Sequence, residues 1–372
     1  MRRACVRLAV AFDFPTVEVK EGRARLLVPD VPRRKGPGTR SAWPFYNPTM
    51  VVNRDMAAIA LARWPIRLDA VLDGLAGTGA WGIRMGCEAG TPGLTFNDVL
   101  AASPPLIREN LARNGLEAEV LRTDLRALLA KRAFDFVDID PFGPPTPYLQ
   151  AFFQGARTPS GVGITATDTA PLCGTYPNAC VRRYDARPLR CPQGAEIGLR
   201  ILLGYCERTA RAHDRSLRPL LTFATEHFFR ILALVVAGDV GIEAPLGHIT
   251  RRDDGAWIQI PQEAPGAVGP LWLGHMSDAD FLHRLGPSDW TKPASARLLA
   301  RLQDEATMPA LFETTDELAA RLRVPPPRID RVLEALRSSG FRATRTHFDP
   351  KGLKTDAPYE EIARLFRSVR TT

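Results

Sequence analysis

The chain has 372 residues, of which 45% are hydrophobic and 24% are charged, as is typical of a globular protein with two domains. No apolar run approaches the roughly 20 residues of a membrane helix, and the basic start lacks a cleavage site. We therefore exclude a membrane protein and expect a cytoplasmic one, whose net charge of +8 suits a polyanionic partner.

Strands alternate with helices through the first two thirds of the chain. Helical periodicity predicts helices at 53–64, at 103–115 with Ser103 as its cap, and at 196–214. Strands are predicted at 94–98, 117–124, 134–140 and 161–169, with a strand, glycine turn and helix within 69–90 and one or two strands within 219–239. The alternation predicts an α/β, Rossmann-like fold with a mostly parallel sheet covered on both faces.

The two ends of the chain have a different character. Residues 1–45 show little regular pattern and are predicted to be an extension containing a basic loop at 28–40. Beyond about position 243 the sequence is rich in turns and predicts a β-hairpin, and residues 314–340 predict two helices joined by a tight turn. We expect a first domain at 1–242 and a smaller α+β domain at 243–372, part of which resembles a winged helix.

The second domain carries a run of basic residues that predicts contacts with nucleic acid phosphates. Its second helix has Arg328, Arg331 and Arg337 away from the apolar face. Further basic residues follow the helix at Arg342, Arg345, His347, Lys351 and Lys354.

Acidic residues end four successive predicted strands. These residues are Asp73, Asp98, Asp124 and Asp140. In an open parallel sheet, ligands bind beyond the carboxyl ends of the strands, where carboxylates can accept hydrogen bonds from ribose hydroxyls or an amine. The turn after Asp73 reads G-L-A-G-T-G-A-W-G, and an acid there disfavours a pyrophosphate and favours a positively charged ligand. The pattern indicates S-adenosylmethionine, which has a sulfonium and no phosphate.

The stretch Asp140-Pro141-Phe142-Gly143 follows the fourth of these strands and is typical of a site that methylates a nucleobase amine. Such an amine is a poor nucleophile, so the site must orient it and accept its proton. Asp140 and the Pro141 carbonyl can accept its hydrogen bonds, and Phe142 can stack on the base. Phe45 offers a second ring for the other face of the base.

At these motifs the chain resembles the tRNA guanine-N2 dimethyltransferases that act on guanine 26. The matching segments span residues 21 to 360 and are "EGRARLLVP", "FYNPTMVVNRD", "LDGLAGTGAWGIR", "FNDV", "DFVDIDPFGPPTPYL", "TATDTAPLCGTYPNACVRRYDARPL", "EIGLRIL", "GPLWLGH" and "ATRTHFDPKGLKTDAPYE". The resemblance implies a class I methyltransferase domain, a C-terminal domain that helps hold tRNA, and S-adenosylmethionine as cofactor. We expect a monomer whose partner is tRNA.

The resemblance also implies roles for single residues. Arg54 and Arg84 would contact the methionine carboxylate of the cofactor. Asp98 would bind the ribose hydroxyls, with Val99 beside the adenine and Asp124 near the adenine amine. Asp140 would be the catalytic acid-base residue, and Phe45 and Phe142 would flank the guanine.

Three other functions stay open from the residues alone. A DNA adenine-N6 methyltransferase would use the same Asp-Pro-aromatic chemistry, a nucleic-acid-binding protein could keep the fold without activity, and a nicotinamide-dependent dehydrogenase is disfavoured by the turn. The six cysteines form no C-x-x-C pair, so we predict reduced thiols and no metal. Asp168 is expected in a polar wall of the pocket, and Cys173 is interpreted as a packing residue and not as a nucleophile.

Overall fold

The structure is a computed structural model that describes residues 12–30, 43–225, 227–238 and 245–369. It begins with an antiparallel hairpin of β1 (Thr16–Glu21) and β2 (Ala24–Pro29), whose turn contains Gly22 with a positive φ of 57°. The prediction that the N-terminal 45 residues have little regular structure is therefore wrong for this segment. Most of the predicted basic loop at 28–40 lies outside the described residues.

The central sheet confirms the predicted α/β fold. Its strands are β3 (Val71–Asp73), β4 (Leu94–Asn97), β5 (Glu119–Leu121), β6 (Phe136–Ile139), β7 (Ser160–Ala166), β8 (Arg215–Ala224) and β9 (Phe229–Ala237). They lie in the order β5-β4-β3-β6-β7-β9-β8, and every pair is parallel except those made by β9. Strands β3, β4 and β6 are short and buried on both faces, which explains the brief apolar runs in the sequence, whereas the edge strand β5 is partly exposed.

Helices cover both faces of this sheet. In chain order they are α1 (Val51–Leu61), α2 (Ala80–Arg84), α3 (Ser103–Arg113), α4 (Leu125–Leu129), α5 (Thr146–Gly155), α6 (Thr169–Leu172), α7 (Pro177–Tyr184) and α8 (Gly194–Arg211). One core contains Val71 and Phe136 and is covered by α1 to α3, while the other contains Leu72 and Val137 and is covered by α4, α5 and α8. A 3₁₀ turn (Pro48–Met50) precedes α1 and a π-helical turn (Met85–Ala89) follows α2.

The prediction that Ser103 caps α3 is wrong. Ala102 occupies the cap position, no side chain there accepts a backbone hydrogen bond, and Ser103 is the first helical residue. The pattern Ser-Pro-Pro misled because proline is well tolerated in the first helical turn, so the prolines mark the start of the helix without fixing which residue precedes it.

The C-terminal part contains a small sheet and a winged helix. The small sheet consists of β10 (Leu246–Arg251), β11 (Trp257–Ile260) and β12 (Val268–Trp272), and it is followed by α9 (Ala279–His283). The winged helix consists of α10 (Pro293–Glu305), β13 (Glu313–Thr314), α11 (Thr315–Leu322), α12 (Ile329–Ser338), β14 (Ala343–Arg345) and β15 (Gly352–Thr355), and α13 (Tyr359–Ser368) closes the chain. Its strands pair in the order β13-β15-β14, as a winged helix requires.

Two of the basic residues predicted to face nucleic acid are instead buried between the two parts of the chain. Lys354 donates to Glu196 of α8 at 2.8 Å, and both side chains are almost completely buried. His347 bonds to Glu305 through Nδ1 at 2.5 Å and accepts a hydrogen bond from the Ala224 amide through Nε2 at 3.2 Å. The wing therefore docks the C-terminal part onto the sheet, and the prediction that Lys354 and His347 face nucleic acid is wrong.

The other basic residues near the wing are at the surface and paired with acids. The pairs are Arg342 with Asp356, Arg345 with Asp330, and Lys351 with Asp316. Across the described ranges, no helix is both long enough and apolar enough to span a bilayer.

Candidate active site

The predicted acidic residues meet at one edge of the central sheet. Asp73 is the last residue of β3 and lies in register with Phe96 of β4 and Asp138 of β6. Asp98, Asp124 and Asp140 follow β4, β5 and β6, which are neighbours of β3 or of each other. Because these strands are parallel, their carboxyl ends form one continuous edge, where open α/β sheets bind ligands.

The glycine turn, residues 74–79, lies against the segment that carries Phe45. Gly77 has a positive φ of 55°, and a Cβ at this position would come within 2.9 Å of the Phe45 carbonyl oxygen. The Gly77 amide donates to Asp98 at 2.7 Å, and the Leu100 amide donates to the same carboxylate at 2.8 Å. These contacts hold Asp98 in place while leaving part of its carboxylate free to accept hydrogen bonds from a ligand.

Two neighbours of Asp98 are also available to a ligand. Val99 is 64% exposed, which leaves a free apolar face beside the carboxylate. Asp124 is exposed, accepts a hydrogen bond from the Arg126 amide at 2.8 Å and pairs with the Arg126 side chain at 2.7 Å. The Arg126 side chain lowers the pKa of Asp124 to about 2, so this carboxylate is ionised at neutral pH.

Asp73 is buried and holds the start of α2, since it accepts a hydrogen bond from the Gly82 amide at 3.0 Å. Burial, and then the nearby charge of Asp138, raises its pKa well above the usual range. Its predicted contact with the cofactor stays a prediction.

Asp140 lies half-buried at the end of β6 and belongs to a polar network inside the sheet. This Asp140 network consists of Asn53, Asp138, Asp140, Thr165 and Arg230. The Asn53 amide lies 3.5 Å from both Asp140 and the Thr165 hydroxyl, and Arg230 donates to Thr165 at 2.9 Å. Arg230 is fully buried and also pairs with Asp138.

The network holds more carboxylates than cations, which affects how they titrate. Burial raises the pKa of Asp140, while the charge of Arg230 and a hydrogen bond from Thr165 lower it. Burial raises the pKa of Asp138 to about 6, against the opposing charge of Arg230. A partly desolvated carboxylate of this kind is a stronger proton acceptor than one in water, as general base catalysis requires.

The residues after Asp140 form a rigid turn that presents an aromatic ring. Gly143 has a positive φ of 88°, its amide donates to the Thr167 hydroxyl at 2.7 Å, and its carbonyl accepts from the Thr167 amide at 3.1 Å. Phe142 is 41% exposed, while Pro141 is buried. The turn is therefore tied to the end of β7, with the Phe142 ring at its tip.

Phe45 and Phe142 are brought together, as the resemblance implied, but they touch each other. Their ring centroids are 4.7 Å apart and their planes are inclined by 71°, an edge-to-face contact. A base stacked between two rings needs about 7 Å between them, since each stacked contact takes about 3.5 Å. A guanine can enter between these rings only if one of them moves.

Arg84 lies inside a cluster of carboxylates. Its side chain is completely buried, and its guanidinium bonds to Glu88 at 2.5 Å, Asp55 at 2.7 Å and Glu21 at 3.0 Å. Glu21 also receives two hydrogen bonds from Arg54, at 2.5 and 2.6 Å. All its donors are turned towards carboxylates, and its predicted contact with the cofactor stays a prediction.

Arg54 is also buried, but it lies closer to the segment that carries Phe45. It donates to the Asn47 carbonyl at 3.0 Å and packs over the Tyr46 ring, 5.2 Å from the ring centroid. Its charge contributes to lowering the pKa of Asp140. Its predicted contact with the cofactor stays a prediction.

Sequence reasoning missed the residues that support the site. Asn53 precedes Arg54 in the N-R-D motif, and Arg230 is the one charged residue in β9, otherwise apolar. A lone arginine in a buried strand needs a buried acid, so β9 itself held a usable signal. Glu21 lies in a segment for which no regular structure was predicted.

Cys173 packs against the core that contains Leu72, while the place of Asp168 in a wall of the pocket stays a prediction. Burial raises the pKa of Cys173 to about 11, so its thiolate is rare at neutral pH. Asp168 follows β7 and binds Tyr184 at 2.6 Å and Arg183 at 3.0 Å. No group of three metal-ligating side chains occurs among the residues that the structure describes.

Comparison with known proteins places the chain in a family. The model of the family described as N2,N2-dimethylguanosine tRNA methyltransferase matches residues 22–244 and 259–367. A tRNA (guanine(26)-N(2))-dimethyltransferase of Pyrococcus abyssi is 34% identical over 95% of this chain and 99% of its own length. One of Methanoregula boonei is 38% identical over 95% and 98%, respectively.

A solved structure agrees with these relatives. It is the complex of Trm1 from Pyrococcus horikoshii with S-adenosyl-L-methionine, which is 32% identical, has a TM-score of 0.82 and covers 94% of this chain and 99% of its own. The segments that carried the resemblance are therefore parts of one alignment along nearly the whole chain. The chain belongs to the N2,N2-dimethylguanosine tRNA methyltransferase family.

Proposed function

We propose that this protein transfers methyl groups from S-adenosylmethionine to the exocyclic N2 of guanine 26 in tRNA, forming N2-methylguanosine and N2,N2-dimethylguanosine. The observation that carries the proposal is the position of Asp140. It is a half-buried carboxylate at the end of β6, next to an exposed ring and on the edge where the sheet binds ligands. Family membership leaves DNA methylation, a dehydrogenase and an inactive fold without support.

The cofactor would be held at the ends of β3, β4 and β5. Asp98 is oriented by two backbone amides and can accept the ribose hydroxyls, while Val99 can lie against the adenine ring. Asp124 can accept a hydrogen bond from the adenine amine. Asp73 directly precedes the glycine turn, and Arg54 packs on the segment that lies against this turn. When bound, S-adenosylmethionine supplies an electrophilic methyl group and needs no phosphate-binding turn.

Asp140 orients the guanine amine and accepts its proton. The lone pair of that amine is delocalised into the ring, so a carboxylate that accepts its hydrogen bonds increases its nucleophilicity. Asn53 and Thr165 orient the Asp140 carboxylate through hydrogen bonds. The Pro141 carbonyl can accept a hydrogen bond from the second amine hydrogen. Phe142 can stack on the base and fix its plane.

The same carboxylate can serve both methyl transfers. After the first transfer N2 still carries one hydrogen, which can bond to Asp140, while the new methyl takes the direction of the Pro141 carbonyl. No second base is needed for dimethylation. Mono- and dimethylated products are therefore expected in sequence at one site.

The C-terminal part is proposed to help hold tRNA. The predicted boundary between 242 and 243 lies outside the described residues. A separate hydrophobic core runs from Leu318 to Phe366, whereas Leu271 and Leu299 belong to the cores of the central sheet. The part of the winged helix that follows α10 thus has a hydrophobic core of its own. A cytoplasmic location and a monomeric state accompany this proposal.

Asp140→Asn provides the test. The substitution keeps the shape of the side chain but removes its charge, so we expect kcat to fall about 10²-fold or more. Nucleoside mass spectrometry would measure methylation of a tRNA transcript with guanine 26 and of one with adenine there. Asp69→Asn, at the opposite edge of the sheet, is the control. Methylation that ignores position 26, or normal turnover by Asp140→Asn, would contradict the proposal.

A further inference from the structure

Helix α7 presents a surface that the methyl-transfer site does not use. Among the described residues, the large hydrophobic side chains that remain exposed are Val17, Val99, Phe142, Tyr176, Val181 and Ile258. Two of these are at the proposed active site, and two others, Tyr176 and Val181, are on or next to α7. Tyr176 is 62% exposed and Val181 is 43% exposed. We call Tyr176, Val181, Arg182 and Arg183 the α7 patch.

The α7 patch borders an open cleft of about 550 Å³. The cleft is lined by Pro171, Thr175, Tyr176, Pro177, Asn178, Ala179, Arg182 and Arg183. Its volume is in the range of sites that bind small molecules or single residues of a polymer. The lining combines one exposed aromatic ring with two arginines and several hydrogen-bonding groups.

The patch is fixed to the edge of the sheet that carries Asp140. Arg183 and Tyr184, at the end of α7, bind Asp168 at 3.0 and 2.6 Å. Asp168 is next to Thr167, which bonds to Gly143 of the catalytic turn. Tyr176 lies seven residues earlier than Arg183 and so about 10 Å away along the helix. The helix that carries the exposed ring is therefore tied to the proposed catalytic turn through Asp168 and Thr167.

The charge of the patch is available to a ligand. In the described part of the chain no acidic side chain lies within ion-pair distance of Arg182, while Arg183 is 42% exposed and shares Asp168 with Tyr184. Exposed arginines beside an aromatic ring fit an RNA strand with unstacked bases, because arginine binds phosphate and the ring stacks on a base.

We propose that the α7 patch binds the tRNA strand next to the target guanine, with Tyr176 stacked on a neighbouring base and Arg182 on a phosphate. This inference rests on the proposed function, since it names a second contact of the same substrate. A base can leave its stack more easily when its neighbour gains a new stacking partner. The patch would thus hold the strand open beside the target guanine.

The test measures tRNA binding without turnover, by fluorescence anisotropy in the absence of cofactor. Tyr176→Ala should weaken binding about tenfold, whereas Tyr176→Phe should bind like the wild type. Arg182→Gln should reduce the slope of log Kd against log salt by about 0.7 to 0.9. Arg67→Gln, at an exposed arginine before β3 on the far edge of the sheet, is the matched control.

Unchanged affinity in Tyr176→Ala together with an unchanged salt slope in Arg182→Gln would overturn the inference. A change of oligomeric state in these variants, measured by size-exclusion chromatography, would also overturn it, because the patch would then bind a second copy. The proposed function fails separately, if the wild type binds tRNA but transfers no methyl group to it. Thermal unfolding should not change, since the substituted side chains are exposed.

Discussion

Replacing Arg230 by methionine tests whether the Asp140 network is held together by a single buried cation. Arg230 is fully buried in β9, pairs with Asp138 and donates to Thr165 at 2.9 Å. Methionine fills a similar space but leaves Asp138 without a counter-charge. Even in the wild type, one oxygen of Asp138 has no hydrogen-bond partner among the residues that the structure describes. Removing one partner of a buried ion pair costs about 3 to 5 kcal/mol, so we expect a loss of that size at pH 8.

The loss of stability should depend on pH in a defined direction. The pKa of Asp138 in the folded protein is about 6, above the unfolded value, so its ionised form already opposes folding at pH 8. Without Arg230 this pKa rises further, and each unit adds about 1.4 kcal/mol to the penalty at high pH. At pH 4 the carboxyl is protonated in both folded proteins, and the difference in stability should be much smaller.

Urea unfolding at pH 4, 6 and 8 would measure these differences. The double variant Arg230→Met with Asp138→Leu is the control, because it removes both charges and should recover much of the stability lost in the single variant. Arg230 also lowers the pKa of Asp140, so in Arg230→Met the acidic limb of the pH profile of kcat/KM should move to higher pH. A loss below 1 kcal/mol at pH 8, or one independent of pH, would refute the reasoning.

Two further predictions concern the cofactor and the C-terminal part. Asp98→Ala should weaken S-adenosylmethionine binding about tenfold or more, because charge-assisted hydrogen bonds are lost. Calorimetry would measure the affinity, and an affinity equal to that of the wild type would show that Asp98 does not bind the cofactor. Burial raises the pKa of Glu313 to about 8, so its folded form keeps a proton that the unfolded chain releases above about pH 4.5. Relative to the wild type, the free energy of unfolding of Glu313→Gln should therefore rise by about 1.4 kcal/mol per pH unit between pH 5 and 8. An equal pH dependence of both proteins would show that the Glu313 carboxyl is not buried.

Much of the fold could be predicted from the sequence because its inner parallel strands are short, largely apolar and buried on both faces. The run at 134–140 predicted a strand, and β6 covers Phe136–Ile139. The hairpin β1–β2 was missed because its apolar and polar residues alternate over only six positions in each strand, although Ala24, Leu26 and Val28 of β2 are buried. Its Gly22 marked the turn, but that signal is weak without a longer pattern.

The positions of the carboxylates in the candidate site could be predicted from the sequence, but the partners of its cations could not. Acids that end successive parallel strands must meet at one edge, so Asp73, Asp98 and Asp140 followed from the fold. The partners of arginine depend on which distant elements pack together, and no sequence pattern connects Arg84 with Glu21, 63 residues earlier. Lys354 was misplaced for the same reason, since Glu196 lies 158 residues before it.

The junction between α8 and β15 has a consequence for how the enzyme finds its nucleotide. Glu196 receives hydrogen bonds from Lys354 at 2.8 Å, from Arg200 at 3.0 Å and from the Leu311 amide at 2.8 Å, all in the interior. Buried charges tolerate little misalignment, so the winged helix and the carboxylate of Asp140 keep a constant separation. With the winged helix bound to the body of the tRNA, as proposed, this fixed distance would select the guanine that lies at the matching distance from that body.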